Sequence, residues 1–281
     1  MLTVLEVVKK TSEFFASKAI ESPRLNAELV VGHALGLTRM RLYLEFERPV
    51  GEAELAAVRE LVRRRGRREP LQHIVGHTEF FGLTLKTDRR ALIPRPETEL
   101  LVETIVARVG APPARILDLG TGSGAIALAL ARAFPGARVT AVDSSPDALA
   151  LAAENAASTG LSDRVALAES DWLGAIAKGE TFDLIASNPP YLSQEETEAA
   201  APEVRQYEPA GALTAADGGF ADLERIARAS AAALAPGGML ALETGAGHHA
   251  RLISVLREAG YSRSESVADL AGRDRFVLAW P

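Results

Sequence analysis

The chain contains no cysteine. That excludes disulfides, thiolate catalysis and cysteine-ligated zinc, and it fits a cytoplasmic protein. Long hydrophobic runs are missing as well. The stretch "AIALALARAF" (125–134) meets Arg132 well short of the roughly 20 apolar residues that cross a bilayer. The opening "MLTVLEVVKKTSEFF" has glutamates and no small-residue cleavage site, so no signal peptide is expected. Positive charge is scarce over most of the chain. Residues 1–90 hold 16 Lys and Arg against 12 Asp and Glu, whereas the remainder holds 15 against 25. So acidic a body is a poor platform for duplex DNA, whose binding rests on neutralising phosphates. The mildly basic front end suits an acidic partner surface.

What is present is ordinary for a globular enzyme: 281 residues, 47% hydrophobic and 24% charged, enough for one large domain or two. From Thr3 to about Arg68 the pattern is helical. Thr3 with Glu6 reads as a capping box, and Leu5, Val8 and Phe15 recur at helical spacing. A second helix is expected from Pro23 to near Gly36, and a third from about Gly51 to Arg65 with Leu55, Val58, Leu61 and Val62 on one face. The run Arg63–Arg68 closes it and reads as a solvated helix end rather than an RNA grip. From Leu71 to Asp88 the residues become strand-like, with glycines where a hairpin would turn. His73 and His77, four apart on a glycine-interrupted strand, do not share a helix face, and no acidic ligand follows at metal spacing, so no metal site is expected.

From Arg115 onward strands and helices alternate, beginning with "RILDLG", a helix from Ala125 and "ARVTAVD". Continuous apolar strands between amphipathic helices define an α/β fold with a covered, mostly parallel sheet. A helix is expected near Phe220–Leu234, and the last two strands form an antiparallel edge pair. Gly120, Gly122 and Gly124 sit in a tight loop between a strand ending near Asp118 and a helix. Such a loop lets a ligand approach the backbone, although a turn with no ligand has the same appearance. The next strand ends in Asp143, where a carboxylate can take both hydroxyls of a ribose, as in NAD and S-adenosylmethionine enzymes alike. Asp171 and Trp172 end the third strand; the indole suits either the flank of an adenine or a place in the core. The stretch "FDLIASNPPYLS" (182–193) ends a fourth strand in an amide, two prolines and a tyrosine. Glycine loop, Asp143, Trp172 and Asn188 all follow different strands, at the rim where open α/β sheets bind ligands.

Asp118–Gly124 ("DLGTGSG") followed by Asn188-Pro189-Pro190-Tyr191 resembles the S-adenosylmethionine-dependent amino methyltransferases. "LIPRPETELLVE" (92–103), "YEPAGALTAADGG" (207–219) and "DLAGRDRFVLAW" (269–280) are similar to the peptide chain release factor glutamine methyltransferases, the PrmC or HemK family, over nearly the whole chain. The resemblance implies a Rossmann-like sheet, mostly parallel with an antiparallel edge, behind a small N-terminal helical domain. It divides the chain into a helical substrate-docking domain (1–70), a β-hairpin linker (71–92) and a methyltransferase domain (93–281). It implies S-adenosylmethionine bound by Gly120, Thr121, Gly122, Ser123, Gly124, Asp143, Trp172 and Asn188, with S-adenosylhomocysteine as product and no metal. Asn188, Pro189, Pro190 and Tyr191 would receive a planar nitrogen, here the glutamine amide of a Gly-Gly-Gln tripeptide in a release factor. Where relatives carry Glu-His-Gly after the fifth strand, this sequence has Glu243-Thr244-Gly245, and no role falls to Thr244.

The chemistry accounts for the motif. An amide nitrogen is a poor nucleophile because its lone pair is delocalised into the carbonyl. The Asn188 side-chain oxygen and the Pro189 carbonyl can accept both N–H bonds out of plane while Tyr191 packs on the flat amide, so that orientation and fixed dipoles localise the lone pair. Rival readings are a DNA adenine methyltransferase, which shares Asn-Pro-Pro-Tyr and flips its base, and a ribosomal-protein glutamine methyltransferase. An NAD(P) reductase lacks its Tyr-x-x-x-Lys pair here. A non-catalytic scaffold would have no need of Asn188 or Asp143.

Overall fold

In the computed structural model, which describes all 281 residues, the chain forms two units. One comprises residues 1–77 with 201–207, the other residues 78–200 with 208–281. No helix is long and apolar enough to cross a membrane.

The first unit is helical. Helix α1 (Val4–Ser17) starts on the reciprocal cap expected from its sequence: Thr3 N donates to Glu6 Oε2 at 2.8 Å and Glu6 N to Thr3 Oγ1 at 3.3 Å. Helices α2 (Pro23–Leu35), α3 (Arg39–Leu44) and α4 (Glu52–Gly66) follow, with Gly36 in the left-handed region ending α2. Val4, Val8, Phe15, Val30, Val31, Leu42, Leu55 and Val58 form the core. Leu5, expected among them, is 41% exposed, and Val4 takes the inward place beside Val8 and Phe15, which are buried as expected.

Two readings of this region change. Leu71–Val75 is a short helix, α5, and the strands are only β1 (His77–Phe80) and β2 (Leu83–Lys86). Pro70 presets the entry, and Gly76, with φ +82°, is the helix C-cap rather than a hairpin turn. The hairpin turn is made by Phe81 and Gly82, both at positive φ, as a tight two-residue connection demands. His73 therefore lies on a helix and His77 on a strand. The arginine run is also not a solvated end. The Arg65 guanidinium is buried, donating to Asn26 Oδ1 at 2.8 Å and to Glu203 Oε1 at 2.9 Å. Arg68 meets the same Glu203 at 2.7 Å, and Arg64 forks onto Glu69 at 2.7–2.9 Å. Glu203 comes from the short helix Pro202–Tyr207, so this charged cluster recruits a distant piece of chain into the first unit.

In the second unit the chain continues through α6 (Pro96–Arg108), β3 (Arg115–Leu119), α7 (Ala125–Ala133), β4 (Arg138–Asp143), α8 (Pro146–Ser158), β5 (Val165–Glu169) and β6 (Phe182–Ser187). After α9 (Gln194–Ala199) and α10 (the Pro202–Tyr207 helix) come α11 (Ala216–Gly219), α12 (Ala221–Ser230), β7 (Leu234–Glu243), α13 (His249–Glu258), β8 (Arg263–Ala268) and β9 (Asp274–Trp280). The helix expected to reach Leu234 stops at Ser230, because Leu234 already pairs with Phe182 in the sheet. The seven strands run in the order β5-β4-β3-β6-β7-β9-β8. The first five are parallel, while β9 lies antiparallel to both β7 and β8. Apolar side chains cover both faces: Leu101, Ile105, Leu128 and Leu130 from α6 and α7 pack on one, Leu223, Ile226 and Leu252 from α12 and α13 on the other. The strand order reverses between β3 and β6, which opens a crevice at their carboxyl ends.

Candidate functional site

Register brings the site residues level. Leu119 pairs with Val142 on one side and Ser187 on the other, and Ser187 pairs with Leu242. The next residue on each strand, or just beyond it, is therefore Gly120, Asp143, Asn188 and Glu243, one row across four strands. Ser187 Oγ donates to the Leu119 carbonyl at 2.7 Å, holding the two central exits together.

A cavity of about 520 Å³ lies over this row. Of the residues expected to bind or react, Gly120, Thr121, Gly122, Ser123, Asp143, Trp172, Asn188 and Pro190 line it; Gly124, Pro189 and Tyr191 do not. Gly124 is buried, and a Cβ there would lie 3.3 Å from both Ala152 Cβ and Leu128. It permits close packing of α7 on α8 rather than ligand approach. Pro189 is buried beneath the turn. Tyr191, expected to lie flat on an amide, sends its hydroxyl to Glu243 Oε1 at 3.2 Å, and its ring joins the core cluster on one sheet face.

The glycine loop is built around two carboxylates. Asp143 accepts from Gly122 N at 2.8 Å through Oδ2 and from Ser145 N at 2.9 Å through Oδ1. Each oxygen keeps acceptor capacity, so a ribose diol can be taken without breaking the loop. Asp118 is fully buried; its Oδ2 accepts from the Thr121 hydroxyl at 2.6 Å and Ala127 N at 3.1 Å, while Oδ1 meets no partner. Burial pushes this carboxyl up to about 7, against the pull of those two donors. Trp172 packs against the core cluster of one sheet face and also lines the cavity. Its backbone is left-handed, with φ +51°; its Nε1 donates to Asp222 Oδ1 at 3.1 Å, and its ring lies on Gly120 at the cavity wall. Arg225 and Asp171, paired at 2.7–2.8 Å, line the same cavity. A loop without a side chain at Gly120, a carboxylate with free acceptor capacity at Asp143 and an indole wall together fit S-adenosylmethionine.

Two of the motifs quoted from the sequence meet here. Arg95 Nη2 donates to Glu208 Oε2 at 2.5 Å, and Ile93 N to Glu208 Oε1 at 3.4 Å. Burial raises the Glu208 carboxyl, opposed by the Arg95 charge. The stretches around 92–95 and 208–212 are thereby tied together along the cavity.

Sequence reasoning missed a polar chain beneath Asn188. Asn188 Nδ2 donates to Thr98 Oγ1 at 3.1 Å, and Thr98 Oγ1 donates to Glu243 Oε2 at 2.8 Å. Thr98 and Glu243 are both buried. Burial pushes the Glu243 carboxyl up to about 6, with the Thr98 hydrogen bond opposing. A signal for Glu243 existed: it is a carboxylate at the carboxyl end of a parallel strand, as Asp143 is. Thr98 had none beyond its place in "PRPETE".

An open, mostly parallel sheet with a glycine loop at its switch point, a carboxylate ending the next strand and Asn-Pro-Pro-Tyr after the fourth has the form of a Rossmann-like methyltransferase. Comparison with known proteins agrees. Family models for the PrmC N-terminal domain and the methyltransferase small domain match residues 6–76 and 96–207. The release factor glutamine methyltransferase of Rhodopirellula baltica is 40% identical over 98% of this chain and 95% of its own. That of Chlorobaculum tepidum is 47% identical over 86% of this chain and 85% of its own. The T. thermophilus 16S rRNA N2 G1207 methyltransferase, solved with AdoMet and guanosine, superposes with a TM-score of 0.53 at 21% identity. It covers 73% of this chain, which spans about half (49%) of that protein, and shares the fold. The chain belongs to the release factor glutamine methyltransferase family.

Proposed function

We propose that the protein methylates the side-chain amide nitrogen of the glutamine in the Gly-Gly-Gln motif of peptide chain release factors. S-adenosylmethionine supplies the methyl group as a sulfonium electrophile, and S-adenosylhomocysteine is the product. Gly120–Ser123 and Trp172 would hold the cofactor, and Asp143 its ribose. The observation that carries the reading is the orientation of Asn188. Its Nδ2 is committed to Thr98, so Oδ1 is the atom left to accept from a target amide.

Asn188 Oδ1 and the Pro189 carbonyl take the two N–H bonds of the glutamine amide and turn its lone pair out of the amide plane. The Pro190 ring restricts the backbone of Pro189 and so holds that carbonyl in place. Orientation and fixed dipoles do this without a strong base. The amide proton released on methylation passes to solvent.

The helical part of the chain, residues 1–70, docks the rest of the release factor, residues 71–92 join it to the catalytic part, and residues 93–281 carry the chemistry. Met40 and Leu44 on α3, 70% and 79% exposed, give that helical part an apolar contact surface. The reading implies a cytoplasmic protein whose partner is a protein, with no nucleic-acid ligand of its own. The acidic balance of residues 91–281 supports this. Incubation with radiolabelled S-adenosylmethionine and either a release factor or duplex DNA tests it. Label is expected in the release factor, at glutamine; label in DNA alone would overturn it.

A further inference from the structure

Asparagine can present either an acceptor or a donor from nearly the same shape, since half a turn about its last bond exchanges oxygen for nitrogen. A target amide brings N–H donors. A site that lets Asn188 turn over would meet them with its own NH2 for part of the time. Something must decide the orientation.

We infer that Thr98 and Glu243 are positioning residues that determine which atom of Asn188 faces the target amide. This rests on the proposed amide-methylating site. The Thr98 hydroxyl has one proton, and Glu243, an acceptor-only carboxylate when ionised, takes it at 2.8 Å. Toward Asn188, 3.1 Å away, Thr98 can then only accept. The asparagine must offer Nδ2 and keep Oδ1 free. The carboxylate itself is held from its other side by the Tyr191 hydroxyl at 3.2 Å. Tyr191 and Asn188 bracket the two prolines of the same turn, so the polar chain closes on itself: Asn188, Thr98, Glu243, Tyr191 and back through the proline backbone.

The residues come from the first turn of α6, the ends of β6 and β7 and the turn after β6. Thr98 and Glu243 are buried, and a buried carboxylate with no arginine bonded to it is costly to keep. The charged groups facing Glu243 are Arg275 on β9, which favours its ionised form, and Glu97 on α6, which opposes it. An apolar pair would fill the same space more cheaply if packing were the only purpose.

The experiment compares Thr98→Val, Thr98→Ser and Glu243→Gln in the full chain, with an intact release factor as substrate. Thr98→Val removes the acceptor without changing volume. Glu243→Gln can donate to Thr98, which then turns its proton toward Asn188 and reverses the chain. Both are expected to lower kcat on the order of 10- to 100-fold, a part of the loss seen when one preorganised partner is removed outright. KM for the release factor and calorimetric affinity for S-adenosylhomocysteine should stay within a few-fold. Thr98→Ser, which keeps the hydroxyl, should restore most of the rate. Wild-type kcat should fall below about pH 6 as Glu243 gains its proton, and that fall should vanish in Glu243→Gln. A folded, cofactor-binding Thr98→Val enzyme within about three-fold of wild type would overturn the inference. So would a Thr98→Ser variant as slow as Thr98→Val. If Thr98→Val fails to fold, the pH profile decides: a wild-type kcat that stays flat through about pH 6, or that falls equally in Glu243→Gln, overturns the inference. Failure of the underlying reading would appear separately, as wild-type protein that does not label the release factor.

Discussion

The ring of Trp172 lies so close on Gly120 that a Cβ added to the glycine would sit 3.1 Å from it. Gly120 also has φ +69°, a region that costs a side chain roughly 1–2 kcal/mol. Gly120→Ala is therefore expected to lose about that much stability in urea titration. Affinity for S-adenosylhomocysteine should fall at the same time, because the indole must move from the cavity wall. Calorimetry giving wild-type affinity for a folded Gly120→Ala protein would show that loop and indole do not contact the cofactor.

Asn188→Ala removes the acceptor proposed to face the target amide while leaving Asp143 and the glycine loop in place. Methyl transfer in a single turnover at saturating cofactor should drop on the order of 10²–10³-fold, as for loss of one oxyanion-hole donor. Cofactor affinity should change only modestly. If Asn188 merely caps β6, stability and cofactor binding would fall together and turnover at saturation would stay within a few-fold.

Asp118 links the loop to pH. Its folded-state value, about 7, lies above the usual carboxylate range because burial disfavours the charge. The folded protein therefore holds this proton where the unfolded chain has lost it. Its contribution is fully present below about pH 4 and declines as pH rises through about 7, on the order of 1.4 kcal/mol per pH unit between. Glu243 and Glu208, also raised, slope the same way, so the comparison is made against a variant. In Asp118→Asn the stability difference between pH 5 and pH 8 should shrink by roughly 2–3 kcal/mol. Denaturant midpoints that shift with pH as in wild type would show that Asp118 is ionised throughout.

Arg65 and Glu203 test the first unit. Their side chains are 7% and 18% exposed and 2.9 Å apart, and removing one partner of a buried pair costs about 3–5 kcal/mol. Arg65→Ala should destabilise the protein by an amount near the lower end. If the helical unit docks the release factor, methylation of the intact factor should suffer far more than that of a Gly-Gly-Gln peptide. Equal losses would make the helical unit structural support. A substitution is preferable to truncation near residue 70, which would strip the 201–207 segment of the helices it folds with.

Much of this protein was decided locally and was readable for that reason. A capping box needs only residues three apart, so Thr3 and Glu6 announce α1. The α/β alternation follows from apolar strands between amphipathic helices. The glycine loop, Asp143 and Asn188 end their own strands, so the sheet's carboxyl edge collects them whatever the finer packing. Where two conformations were locally equal, context chose. Gly76 suits a hairpin turn or a helix C-cap, and Pro70 with the following residues made it the cap of α5. The arginines of α4 read as solvated because Glu203, the carboxylate that buries Arg65, lies 138 residues away. Thr98 and Glu243 are 145 residues apart. No periodicity or motif joins them, since their meeting depends on the register of β6 against β7 and on where α6 begins. Short-range spacing determined which residues reach the rim; only the tertiary structure decided which hydrogen bonds they make there, because a donor's partner is set by position in space and not by distance along the chain.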